Sequence, residues 1–191
     1  MKIYLLDRKK NVTDCWTSYF GENKDVEIVC SDFGDFMDTN KVECVVSPAN
    51  SYGLMDGGYD LAISDWFGFD LMKKVQSYIV NKYFGEQPVG TSFIIDTEVG
   101  DIKLIHTPTM RVPSAIVDPM VVYHCMRSTL ILARRNDIKS IVIPAFGGSC
   151  GSVPANDVAY LMFMAYSQIF DPPCKLGWDY AERWRSDWEK Y

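Results

Sequence analysis

The order of apolar and polar residues predicts short strands that alternate with amphipathic helices along most of the chain. Strands are predicted at 2–6, 26–30, 44–47, 91–96, 102–106 and 138–144. Helices are predicted at 11–20, 59–84 with a break at Gly68, 121–135 and 154–169, where apolar positions recur at helical spacing. Such alternation is typical of an α/β sheet that is covered by helices on both sides.

Three other segments lack this alternation. Residues 31–36 are predicted as a turn that carries two acidic side chains. Residues 107–119 are predicted as a stiff loop with three prolines, in which Arg111 is a solvated charge, with a phosphate or partner contact as the alternative. After residue 170, Asp171-Pro172-Pro173 ends the last helix, and aromatic residues are spread through charged sequence, with Trp184 and Trp188 at helical spacing. We therefore expect a domain at 1–170 and an extension at 171–191 that packs on its surface, with a partner-binding helix as the alternative.

Composition narrows the function classes. The 191 residues suit one domain with a hydrophobic core, and a net charge of −6 argues against nucleic acid as a partner. Six cysteines without a C-x-x-C pair and only two histidines argue against a zinc site, so no metal and no cofactor is expected. Neither a signal peptide nor a membrane-spanning run is recognisable, and several free thiols suit a reducing compartment. The sequence predicts a soluble, cytoplasmic protein without a membrane partner.

Two glycine-bearing loops follow apolar strands and precede helices. The first runs from the strand 44–47 through Asn50 and a pair of glycines to Asp60, at the head of a helix. The second runs from the strand 138–144 through 147–151 to a helix that begins near Pro154. Free backbone N–H groups and the helix dipole at such places bind anions. One such loop is often an ordinary tight turn, but the pair indicates a ligand with two phosphates or an extended phosphate–sugar body.

Four motifs in order resemble the macrodomain family, which binds ADP-ribose and processes ADP-ribose-1''-phosphate. They are Gly34-Asp35-Phe36, Val46-Ser47-Pro48-Ala49-Asn50, the run from Asp56 to Ile63, and the run from Gly147 to Pro154. The resemblance covers roughly residues 25–168 and is closer to a microbial or phage-type subgroup. It implies a three-layer α/β/α fold with a mixed central sheet. It also implies ADP-ribose or an ADP-ribosylated substrate as the partner.

The resemblance implies a set of site residues. Those expected to contact the ligand are Asp35, Phe36, Asn50, Gly57, Gly58, Phe146, Gly147, Gly148, Ser149, Cys150 and Gly151. Asp35 would accept from the adenine amino group, with Asp32 as the rival three residues earlier. Asn50 would orient the distal ribose, although an asparagine at this bend also suits an Asx-turn.

If the resemblance extends to catalysis, it implies Asn50 and Asp60 as the catalytic residues. In the hydrolytic branch the aspartate that matches Asp60 is proposed to activate water, whereas an aspartate at this position also suits a helix cap. The resemblance therefore leaves two functions open, hydrolysis of an ADP-ribosyl bond (from ADP-ribose-1''-phosphate or a modified side chain) and binding without catalysis. Departures from the family pattern, Ser47-Pro48 and Asp56 among them, weigh against hydrolysis more than against binding. A dinucleotide-binding domain is disfavoured because no G-x-G-x-x-G follows the first strand.

Overall fold

A mixed six-stranded sheet organises the protein, and a computed structural model describes it over residues 1–191. The strands are β1 (Lys2–Asp7), β2 (Val26–Cys30), β3 (Cys44–Ser47), β4 (Phe93–Asp96), β5 (Lys103–His106) and β6 (Ser140–Pro144). The helices are α1 (Lys10–Phe20), α2 (Phe33–Thr39), α3 (Gly58–Phe67), α4 (Asp70–Tyr83), α5 (Met120–Arg135), α6 (Ala155–Phe170), α7 (Trp178–Ala181) and α8 (Arg185–Trp188). The sheet order is β2-β1-β6-β3-β5-β4, in which only β4 is antiparallel to its neighbour.

Helices cover both faces of this sheet, as the sequence predicts. One core cluster joins α1, α5 and α6 to one face, and a second joins α2, α3 and α4 to the other. Adjacent residues of β3 belong to different clusters, Val45 to the second and Val46 to the first. Successive side chains of a strand point to opposite faces, so a central strand must be apolar throughout. The three-layer α/β/α fold with a mixed sheet is thereby confirmed.

The parallel strands place their carboxyl ends along one edge of the sheet. Five of them, in the order β2-β1-β6-β3-β5, are neighbours. At ~4.8 Å between adjacent strands, their ends span about 19 Å. The loops that leave these strands therefore lie side by side along the edge.

Two local predictions were wrong. The predicted turn at 31–36 contains the start of α2, whose Phe33, Phe36 and Met37 are buried at helical spacing. Helix α1 begins at Lys10 rather than after Asn11, and Lys9 occupies the N-cap position. The carboxyl-terminal extension forms two short helices, α7 and α8, and Trp184 and Trp188 lie at the two ends of α8, in keeping with their helical spacing in the sequence.

The carboxyl-terminal extension contacts the α1–α5–α6 side of the domain. Trp184 and Tyr191 pack against the core cluster there. The Tyr191 hydroxyl donates to Asp157 at 3.0 Å, and the Trp188 ring lies 5.1 Å from that of Tyr123. None of the helices combines the length and the apolar character that crossing a membrane requires.

Candidate functional site

A cavity of about 440 Å³ lies along the sheet edge where the five strands end. Loops after β1, β2, β3, β5 and β6 all contribute to its wall. Eight residues predicted as site residues line it, namely Asn50, Gly57, Gly58, Asp60, Gly147, Ser149, Cys150 and Gly151. The structure thus brings both glycine-bearing loops to one cavity.

The acidic residue at the β2 end of the cavity is Asp32 and not Asp35. Asp32 lines the cavity, whereas Asp35 does not belong to its wall. The reason is the start of α2 at Phe33, which leaves Asp32 at the N-cap position and carries Asp35 into the first helical turn. The Asp32 carboxylate makes no capping hydrogen bond, and its nearest cation is Arg8 at 3.9 Å. It is therefore free to accept a hydrogen bond from a ligand.

Three further predicted ligand residues lie away from the cavity wall. Phe36 is 2% exposed and packs on Tyr4 at 5.2 Å between ring centroids. Phe146 is fully buried in the α1–α5–α6 cluster, beneath the loop that it precedes. Gly148 does not line the cavity, and its carbonyl accepts a hydrogen bond from the Lys9 ammonium at 3.3 Å. The two phenylalanines serve packing, because apolar burial is the contact that each makes.

The loop 147–151 presents an unusual density of free donors. The backbone N–H groups of Gly147, Ser149, Cys150 and Gly151 donate to no acceptor within the protein. Gly147 has a φ of +72°, and its carbonyl accepts from Val153 at 3.2 Å, which closes the loop into a tight turn. Several unpartnered N–H groups in one short turn form a concave site for an anion.

Ile116 packs against the loop 147–151 and forms a hydrogen bond to it. The N–H of Ile116 donates to the Gly151 carbonyl at 2.9 Å. Its side chain also lies against the loop, so that a Cβ atom added at Gly147 or Gly151 would come within 2.7 or 2.5 Å of Ile116 Cδ1. Glycine is required at Gly147 by its φ of +72° and at Gly151 because an added Cβ would also come within 2.6 Å of the Gly147 carbonyl oxygen.

Asp60 projects from the first turn of α3 and is partly exposed in the cavity. Its Oδ1 accepts from the buried Ser47 hydroxyl at 2.6 Å, and it makes no capping hydrogen bond. Burial raises the pKa of Asp60 to about 7, the Ser47 hydrogen bond opposes this rise, and the charge of Asp56 adds to it. A carboxylate with a pKa near neutrality can take a proton from a nearby water molecule.

Asn50 lines the cavity, yet most of its side chain is used by its own loop. Its Oδ1 accepts from the N–H groups of Tyr52 at 3.1 Å and Leu54 at 3.3 Å, and its Nδ2 donates to the Leu54 carbonyl at 2.8 Å. These contacts form the Asx-turn that the sequence allowed as an alternative. One amide hydrogen remains for a ligand.

The proline-rich loop runs beside the β3 loop. The Thr109 N–H donates to the Ala49 carbonyl at 3.1 Å, and the Ser51 N–H donates to the Met110 carbonyl at 3.1 Å. Arg111 is exposed, as predicted for a solvated loop charge, and its guanidinium also binds both carboxylate oxygens of Glu86, at 2.8 and 3.0 Å. These bonds fix the proline-rich loop against the cavity wall.

Four residues that sequence reasoning did not select also belong to the site. Arg8 and Lys9 line the cavity from the β1–α1 loop, and Tyr59 lines it from the start of α3. Ser47 positions the Asp60 carboxylate from the end of β3. Arg8 and Lys9 could have been found from their place in the sequence, because they directly follow a buried parallel strand. Residues at the carboxyl ends of such strands lie at the sheet edge where ligands bind.

Comparisons with known proteins agree with this architecture. The family model described as Macro domain matches residues 46–162. An uncharacterized protein of Aquifex aeolicus (strain VF5) is 31% identical over 154 residues, which cover 78% of this chain and 88% of that protein. Among solved structures, a mutant macrodomain of Oceanobacillus iheyensis with ADPR has a TM-score of 0.61 at 23% identity, covering 69% and 73% of the two chains. The macrodomain of Mycobacterium tuberculosis DarG has a TM-score of 0.59 at 21% identity, covering 69% and 85%.

Proposed function

This chain belongs to the macrodomain family, and we propose that its cavity binds ADP-ribose or a close derivative. The similar Oceanobacillus iheyensis macrodomain mutant is a structure with ADPR. The cavity spans five strand ends, or about 19 Å, which suits an extended body of base, ribose, diphosphate and ribose. The free donors of the loop 147–151 stand in the middle of this span, because β6 is the central strand of the five.

The ends of the cavity suit the two ends of this ligand. At the β2 end, Asp32 offers a carboxylate to an exocyclic amine, and the partly exposed ring of Tyr59, packed edge-on against the buried Phe33 5.3 Å away, offers apolar surface to a base. At the β3 end, Asn50 and the glycines 57–58 offer an amide and backbone N–H groups to ribose hydroxyls. We therefore place adenine near Asp32 and the distal ribose near Asn50.

We further propose that the protein hydrolyses an ADP-ribosyl bond, with Asp60 as the general base. The observation that carries this step is a cavity-facing carboxylate whose pKa is about 7 and whose geometry is fixed by Ser47. Asp60 takes a proton from water as the water oxygen bonds to the anomeric carbon of the distal ribose. The bond to the leaving group breaks, and its electron pair departs with that group. A general base of this kind contributes ~10²–10⁴-fold to rate.

The second candidate is a binding module that captures ADP-ribose without turnover. The observation in its favour is the side chain of Asn50, whose carbonyl oxygen is already occupied by two backbone donors. An amide engaged in this way contributes less to orienting the distal ribose. Single-turnover measurements decide between the two candidates.

The test begins with calorimetric titration of the protein with ADP-ribose, using AMP and NAD as controls. We expect micromolar affinity for ADP-ribose and weaker binding of AMP, which lacks the second phosphate and the distal ribose. Single-turnover assays with ADP-ribose-1''-phosphate and with an ADP-ribosylated peptide then compare the wild type with Asp60→Asn. Turnover lost in a variant that still binds ADP-ribose would support hydrolysis, equal turnover would refute the role of Asp60, and no turnover in the wild type would favour the binding module.

The domain boundary and the cellular setting are part of the same proposal. We propose that residues 1–170 form the macrodomain and that 171–191 is an extension docked on it through Trp184 and Tyr191. All six cysteines are free thiols, three of them exposed, which supports a reducing, cytoplasmic setting.

A further inference from the structure

Two adjacent cations interrupt an otherwise acidic site. The protein carries a net charge of −6, and four aspartates line the cavity. Arg8 and Lys9 are the only lysine or arginine residues among those that line it. Both come from the β1–α1 loop, which carries no motif of the family.

Lys9 is held in place at both ends. Its backbone N–H donates to the Asp7 carboxylate at 2.8 Å, which fixes the loop where it leaves β1. Its ammonium donates to the Gly148 carbonyl at 3.3 Å, in the loop that follows the neighbouring strand β6. The side chain of Lys9 therefore reaches from one cavity-lining loop to another and brings a positive charge to the loop 147–151.

The charge of Lys9 is not balanced by a carboxylate within the protein. No carboxylate lies within 4.0 Å of its ammonium, whereas Arg8 has Asp32 at 3.9 Å and Lys10 has Asp14 at 2.6 Å. Lys9 instead stands beside a loop with four unpartnered N–H groups, which carry partial positive charge of their own. Several hydrogen-bond donors and a cation therefore point to one place, and most of them lack an acceptor there. Such an arrangement favours the binding of an anion.

We propose that Lys9 is a binding residue for the diphosphate and neutralises one phosphate while the loop 147–151 donates to the other oxygens. This inference rests on the proposed function, since it assumes that the ligand is a nucleotide with a diphosphate. On binding, the Lys9 ammonium exchanges the Gly148 carbonyl for a phosphate oxygen, a stronger acceptor because it is charged. The loop β1–α1 thereby contributes to ligand affinity through one side chain, although it carries none of the family motifs.

The test compares Lys9→Gln with the matched variant Lys10→Gln. Lys10 is the next residue, is exposed and pairs with Asp14 outside the cavity, so its loss removes the same charge without touching the site. Affinity is measured by calorimetry for ADP-ribose and by chemical-shift titration for adenosine, which has no phosphate. We expect Lys9→Gln to weaken ADP-ribose binding about tenfold at low salt and to leave adenosine binding unchanged. The decrease of ADP-ribose affinity with added salt should also become shallower in this variant.

Three outcomes would overturn the proposal in distinguishable ways. Equal affinity of Lys9→Gln and wild type for ADP-ribose would show that the ammonium does not contact the ligand. Parallel weakening of adenosine and ADP-ribose would show that Lys9 only ties the two loops together. A wild type that binds neither ligand would overturn the proposed function itself, and the role of Lys9 with it. Lys9→Arg, which keeps the charge, is expected to retain affinity within about threefold.

Discussion

Replacing Asp60 with asparagine should stabilise the protein increasingly as the pH rises towards neutrality. The folded pKa of Asp60 is about 7, against an ordinary value of 3.8. Between these values the folded state keeps the proton and the unfolded state releases it, so the free energy of unfolding falls as the pH rises. At ~1.4 kcal/mol for each tenfold change in proton affinity, the full difference would be ~4 kcal/mol. Because Asp60 is partly exposed to cavity water, we expect about half of this, ~2 kcal/mol.

Urea unfolding of the wild type and of Asp60→Asn, measured in steps from pH 5 to pH 9, tests this expectation. Asparagine has the shape of the carboxyl group and can still accept from the Ser47 hydroxyl, so the difference between the two proteins isolates the titration. The advantage of the variant should grow between pH 5 and pH 7 and stay constant above pH 8. A carboxylate that caps α3 would have a lowered pKa and give the opposite sign. A flat or declining difference would therefore refute our account of Asp60.

Two further predictions concern the loop and the extension. Gly151→Ala should lose most ADP-ribose affinity and lower the free energy of unfolding by ~1–3 kcal/mol, because the new Cβ would lie 2.6 Å from the Gly147 carbonyl oxygen and 2.5 Å from Ile116 Cδ1. The control Gly34→Ala meets open space in α2, so equal losses in both variants, measured by calorimetry and urea unfolding, would contradict the steric argument. Deleting 171–191 should cost ~2–4 kcal/mol of unfolding free energy through lost apolar burial. ADP-ribose affinity should persist in the deletion variant because no residue of the extension lines the cavity, and weakened binding would contradict this separation.

The sequence predicts the fold and the location of the site because both depend on local patterns that the topology preserves. Apolar runs such as Cys44-Val45-Val46 identify central strands, and helical periodicity identifies the layers that cover them. In a parallel sheet the carboxyl ends of neighbouring strands share one edge. The two glycine-bearing loops are therefore brought together by topology alone, and the structure shows both on one cavity.

Individual side chains near the loops were harder to assign, because their roles depend on where short helices begin and on what lies beneath them. Asp35 was preferred to Asp32 on its motif, but α2 begins at Phe33 and places Asp35 outside the cavity wall. Phe146 stands next to the second loop in sequence, yet it is fully buried beneath it. Both placements arise from tertiary packing, which a motif of three to five residues does not encode.

The environment of Asp60 shows why departures from a family pattern need a structure to be interpreted. The sequence differs from the pattern at Ser47 and at Asp56, and both changes act on the same carboxylate with opposite sign. The Ser47 hydroxyl stabilises the charged form and lowers the pKa of Asp60, whereas the charge of Asp56 raises it. Neither is the largest influence, because burial in the cavity wall dominates and sets the pKa near neutrality. The two departures therefore only adjust the pKa of Asp60, which is set mainly by burial. Asp60 remains a carboxylate that can accept a proton near neutral pH.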